Sequence, residues 1–109
     1  MRKKKDQLVR VLGADYRLLF LPGMQDVDLH GDTFGLTSVW DRLIKVDSNA
    51  CQSQQKDTLL HELVHVADQE TAQPSERLTE SQVFRIARAL FSIMHDNAKL
   101  ADWIMSEDE

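Results

Sequence analysis

Within this 109-residue chain, the segment His61-Glu62-Leu63-Val64-His65 has the residue types and spacing to do chemistry. Two histidines four apart lie one above the other on a helix, so their imidazoles can share a metal ion. Zn²⁺ suits such a pair. Glu62 adjoins His61 and projects to the flank of the pair. There a carboxylate can take a proton from water held at the metal instead of binding the ion itself, which is the position of a general base.

A catalytic zinc takes three protein ligands and leaves a fourth position for water. The extended motif HExxHxxGxxH, which would supply a third histidine, is absent because Asp68 and Thr71 stand in its place. Downstream candidates are Glu70, Glu76, Glu80 and His95. Glu80 stands three residues before Val83 and seven before Ala87, continuing the apolar stripe of a second helix at its first turn. A carboxylate there needs a positive partner, which a metal would supply. Glu76 falls in the loop or cap before that helix, and Glu70 near the end of the first. His95 is roughly 22 Å beyond Glu80 along a helix rising ~1.5 Å per residue, so the two cannot serve one ion. Glu80 is the preferred third ligand and Glu76 the next. A glutamate at a helix N-terminus also complements the dipole with no metal at all.

The elements that must position these groups follow from periodicity. Leu8 to Leu12, then Tyr16 to Leu21 before Pro22-Gly23, read as two strands of a hairpin across Gly13-Ala14-Asp15. Gln25 to Asp32 is polar and aperiodic, hence a loop. Thr33 to Trp40 and Leu43 to Val46 are rich in β-formers, with Asp47-Ser48-Asn49 as a stop. From about residue 53 to 70 the period is helical. With Leu59 at zero, the apolar arc runs from Val66 through Leu63 and Ala67 to Val64. Asp68, His61, His65, Gln69 and Glu62 fill the opposite arc, so the metal-binding face is separate from the core stripe. Pro74 ends any continuation. Thr79 and Gln82 form a capping box for a second helix with the apolar face Val83, Ile86, Ala87, Leu90, Ile93 and Met94. After Asp96-Asn97, Leu100, Trp103 and Ile104 make a short third helix. Strands first and helices after give an α+β class: a small antiparallel or mixed N-terminal sheet, then the HExxH helix, the second helix and a short C-terminal helix.

Composition bounds the function. At 42% hydrophobic and 28% charged, residues 1–109 are one domain, too short for two. The formal charge of −5 repels phosphate backbones and anionic lipid, so nucleic acid and membrane surfaces are not expected partners. No apolar run nears the ~20 residues needed to span a bilayer. No export signal follows the basic start at Arg2 to Lys5, and the single Cys51 cannot close an intrachain disulfide, so the expected compartment is the cytoplasm. Lys3 to Lys5 read as a solvated terminus. Asp68 could orient a ligand histidine or simply lie exposed. His30 and Tyr16 are candidate donors to a transition-state oxyanion. Cys51 reads as a small semi-buried residue, and Trp40 and Trp103 as packing.

The string Thr58-Leu59-Leu60-His61-Glu62-Leu63-Val64-His65-Val66-Ala67-Asp68, followed by Leu78-Thr79-Glu80-Ser81-Gln82-Val83 and Ile86-Ala87, resembles small phage and prophage proteins related to the ImmA/IrrE-type metallopeptidases. The likeness covers about residues 58 to 97, with a looser one in the preceding strands. It implies that His61, His65 and Glu80 bind zinc and that Glu62 is the catalytic base. It also implies a minimal gluzincin-like fold in which a strand within Gly35 to Val46 borders the cleft and receives a peptide as an added strand. Larger members carry DNA-binding or sensor domains and cut repressor proteins; this sequence matches only the peptidase core. The expected activity is hydrolysis of peptide bonds in a protein or peptide substrate. The alternative is a non-catalytic, zinc-stabilised phage protein that binds another protein. Oligomeric state is not legible.

Overall fold

The computed structural model describes residues 7–22 and 35–107. Strands β1 (Gln7–Val11), β2 (Ala14–Leu21), β3 (Gly35–Ser38) and β4 (Leu43–Asp47) precede helices α1 (Gln52–Thr71), α2 (Glu80–Asp96) and α3 (Ala98–Met105). A one-turn 3-10 helix at Pro74–Glu76 separates α1 from α2. The α+β order is the one expected. His30, Lys3 to Lys5 and the Gln25 to Asp32 loop lie outside the described residues.

The β1–β2 hairpin forms as predicted. Leu12 (φ 50°) and Gly13 (φ 85°) both occupy left-handed backbone. A two-residue turn with both central φ angles positive has the twist that antiparallel strands require, and glycine accepts it freely. β4 then pairs parallel to β2, and β3 antiparallel to β4, giving a mixed sheet in the order β1-β2-β4-β3.

Strand alternation sends Tyr16 and Leu18 of β2 and Ile44 and Val46 of β4 to one face, where they are fully buried with Val66 of α1. Leu59 and Leu63 of α1 pack against this cluster. Burying each such side chain contributes about 1.5–3 kcal/mol, enough to fix α1 across the sheet. Its start is fixed too. Asp47 Oδ1 accepts from the Asn49 amide at 2.9 Å, ending β4 in the predicted stop, and Gln55 Nε2 donates to the carbonyls of Ser48 (3.3 Å) and Ala50 (2.7 Å).

Several packing expectations are corrected. Trp40 is 97% exposed at the β3–β4 turn, and Trp103 is 73% exposed on α3. Cys51 is exposed at the N-cap of α1, with no side-chain cap bond. Of the apolar face expected on α2, only Val83 and Ala87 are buried; Ile86, Leu90, Ile93 and Met94 are exposed. Among the described residues α2 packs mainly on α1 and less on α3, and the β3–β4 turn and α3 lie at the periphery. Asn97 stands at the N-cap of α3, but its side chain donates back to the Ile93 carbonyl at 2.9 Å, closing the end of α2 instead. Among the described residues, no helix is long and apolar enough to cross a membrane.

Candidate metal centre

Helical rise places His61 and His65 one turn apart on α1, their rings 4.8 Å apart edge to face. Glu80 reaches them from the first residue of α2. That start is set locally: the Thr79 hydroxyl accepts from the Gln82 amide (3.1 Å), and the Gln82 side chain accepts from the Thr79 amide (2.8 Å), completing the predicted capping box. Asp68 sets it from α1. Its Oδ2 accepts from the Leu78 amide at 3.0 Å, so this carboxylate holds the chain entering α2.

Glu80 Oε1 lies 2.5 Å from His61 Nε2, and Oε2 lies 3.1 Å from His65 Nε2. The ligand atoms of His61, His65 and Glu80 all fall within 4.8 Å of one another. Two imidazole nitrogens and one carboxylate oxygen form a donor set of the type that holds catalytic zinc, so the residues fit that ion. Glu80 is not buried as its place in the α2 stripe suggested: its side chain is 73% exposed. Partial burial would lift its carboxyl, but hydrogen bonds and charge attraction from His65 and His61 outweigh this and hold it below the usual carboxylate value.

Glu62 departs most from the helical wheel, which put it on the polar arc. It is only 6% exposed, enclosed between α1 and β3. Its Oε1 accepts a short 2.5 Å hydrogen bond from the Thr37 hydroxyl on β3. Burial pushes its carboxyl pKa up, against the lowering effects of the Thr37 bond and of His65 and His61, while Glu80 adds to the rise. Gly35 permits this closeness: a Cβ there would stand 2.6 Å from Thr58 Cγ2, 3.0 Å from Glu62 Oε2 and 3.1 Å from Glu62 Cγ. The arc opposite the core is thus walled by β3 on Glu62's side and by α2 on the side of the histidines. Phe84, one turn along α2, packs edge to face on His61 at 6.3 Å, and Arg88 lies over Phe84 and 3.7 Å from Asp57.

The other candidates lie elsewhere. Glu76 accepts from the Gln73 amide (3.3 Å) in the cap of the 3-10 turn. Tyr16 is fully buried, and its hydroxyl donates to Glu70 at 3.0 Å, near the far end of α1. This contact occupies both the proposed oxyanion donor and one alternative ligand. Burial, together with Glu70, raises the Tyr16 pKa. His95 stacks on Phe91 (5.9 Å) beside Asp96. Reasoning from sequence missed Thr37, Phe84 and the role of Gly35. Only Gly35 had a signal, since an isolated glycine in a strand often marks a close backbone approach. Compared with protein-family models, curated proteins and solved structures, the chain matches none.

Proposed function

We propose that this protein is a zinc-dependent peptidase with a zincin-like active site, in which His61, His65 and Glu80 hold the ion and Glu62 is the general base. The observation that carries the reading is the convergence of two imidazoles and a carboxylate beside a separate, buried carboxylate that is not among the three donors. The resemblance to ImmA/IrrE-type metallopeptidases points to the same four residues. When bound, zinc lowers the pKa of water and polarises a carbonyl. Glu62, held by Thr37, accepts a proton from the attacking water and delivers it to the leaving nitrogen. The hydroxyl portion of the water ends on the carbonyl carbon and its proton on the new amine. A raised pKa makes Glu62 a stronger base than an ordinary carboxylate for taking the water's proton, and that proton still passes downhill to the far more basic leaving nitrogen. The expected substrate is a protein or peptide in the cytoplasm.

The test is cleavage of a proteome-derived peptide library by zinc-loaded protein, with new termini identified by mass spectrometry. Wild type should generate termini that Glu62→Gln forms at least about 100-fold more slowly. Cleavage by Glu62→Gln at the wild-type rate would refute the mechanism. One observation favours a second reading, a zinc-stabilised protein-binding module: Trp40 stands 97% exposed beside β3, one of the two edge strands of the sheet among the described residues. Zinc-dependent capture of a partner that is never cut, unchanged by Glu62→Gln, would select that reading.

A further inference from the structure

We propose that Phe84, itself held by Arg88, is a positioning residue for the metal centre: its ring fixes the imidazole of His61 in the orientation that presents Nε2 to the ion. This role rests on the zinc reading of His61, His65 and Glu80. Residues four apart share one helix face, so α1 carries Asp57, His61 and His65 in a row and α2 carries Glu80, Phe84 and Arg88. Each step is about 6 Å along its axis at ~1.5 Å per residue. The two rows run in opposite directions and meet rung by rung. Glu80 lies 3.1 Å from His65, Phe84 stands edge to face on His61 with centroids 6.3 Å apart, and Arg88 is 3.7 Å from Asp57. The register is set beneath them by Val83 and Ala87, the buried residues of α2.

A ligand histidine is ordinarily oriented by a hydrogen bond from its second ring nitrogen to a carboxylate, carbonyl or water. Here both imidazoles turn Nε2 to Glu80, and among the described residues no group holds either Nδ1. Ring contacts take that place. His61 meets His65 at 4.8 Å and 72° and Phe84 at 6.3 Å and 65°, both within the range of favourable edge-to-face pairs. Phe84 is 50% exposed, so its ring belongs to the rim of the site more than to the core. Arg88 lies over the same ring, its guanidinium carbon 5.4 Å from the centroid, a cation–π contact that limits how the ring can turn. The pair with Asp57 is partly exposed, so it steers Arg88 more than it stabilises the fold.

The test is the zinc affinity of the full chain, measured by competition with a chromophoric chelator. Phe84→Leu keeps an apolar side chain and loses the ring; it should weaken zinc about ten-fold, the lower end of what groups that orient ligands contribute, while Phe84→Tyr stays within about two-fold of wild type. Arg88→Gln should weaken it about three-fold, the scale of an exposed cation–π contact, and should cost nothing further once Phe84 is replaced by leucine. Charge alone predicts the opposite sign, since removing a cation near the site favours Zn²⁺. Far-UV circular dichroism of the metal-free proteins should be unchanged; a Phe84→Leu protein that loses helix would assign the ring to the core and overturn the proposal. Zinc bound equally by wild type and Phe84→Leu, a Phe84→Tyr as weak as Phe84→Leu, or an Arg88→Gln effect that is additive or reversed in sign would also overturn it, leaving the zinc site standing. Wild type that binds no zinc would overturn that site and this role together.

Discussion

Replacing Gly35 by alanine would drive a methyl group into the place where β3 presses on α1. The new Cβ would meet Thr58 Cγ2 at 2.6 Å, whereas ordinary contacts lie at 3.4–4 Å, so strand or helix must give by about 0.8 Å. Thr58 can give little, because β-branched side chains in helices have few open rotamers. The strand must therefore retreat, and with it Thr37, two residues on, whose hydroxyl holds Glu62 at 2.5 Å. Overpacking costs about 1–3 kcal/mol, and weakening a bond to a buried carboxyl adds to it. A net loss of about 2–3 kcal/mol should lower the melting temperature by about 10 °C in a domain of this size. Urea unfolding of wild type, Gly35→Ala, Thr58→Ser and the double variant measures it as a cycle. Thr58→Ser removes the atom at 2.6 Å and leaves only contacts to the flexible Glu62 side chain, so the double variant should recover more than half of the loss. Gly35→Ala within about 0.5 kcal/mol of wild type, or no recovery with Thr58→Ser, would mean that the approach of β3 to Thr58 does not require glycine.

Three further outcomes are expected. In metal-free protein, Glu62→Gln should be more stable than wild type near neutral pH, with the difference vanishing in acid. The folded-state pKa of Glu62 is raised above the 4.5 of the free group, so its favourable contribution is complete below that value and is lost as pH rises through the folded pKa. Melts at about pH 4 and pH 7 check this, and a growing advantage for Glu62→Gln in acid would reverse the sign. Asp68→Ala releases the Leu78 amide and should weaken zinc affinity about ten-fold in a chelator competition while both histidines remain, an effect of the kind expected from groups that orient ligands. Tyr16→Phe should cost about 1 kcal/mol in urea unfolding through the lost bond to Glu70 and leave zinc affinity unchanged.

What the sequence revealed was the part of the molecule governed by local rules. The four-residue spacing of His61 and His65, the Thr79–Gln82 capping box and the stop at Asp47-Ser48-Asn49 each depend on a few consecutive residues, and each forms as read. The setting of Glu62 depends on β3, twenty-five residues earlier, so no helical wheel could show its burial or its bond to Thr37. The apolar residues of α2 illustrate another limit. Periodicity shows that Val83, Ile86, Ala87 and Leu90 share a broad face, but which of them another element covers is decided by how far α1 reaches. Likewise Asp68 shares the histidines' arc on the wheel, and only the path of the chain into α2 determines that it binds Leu78.

Metal content decides whether His61, His65 and Glu80 form one zinc site. Protein purified without chelator should carry near-stoichiometric zinc by inductively coupled plasma mass spectrometry. The metal should be lost in His61→Ala and His65→Ala, reduced in Glu80→Ala and unchanged in Glu76→Ala, whose carboxylate only caps the 3-10 turn. Wild type that takes up no zinc even on reconstitution, or zinc that departs with Glu76 and stays without Glu80, would rule out this site.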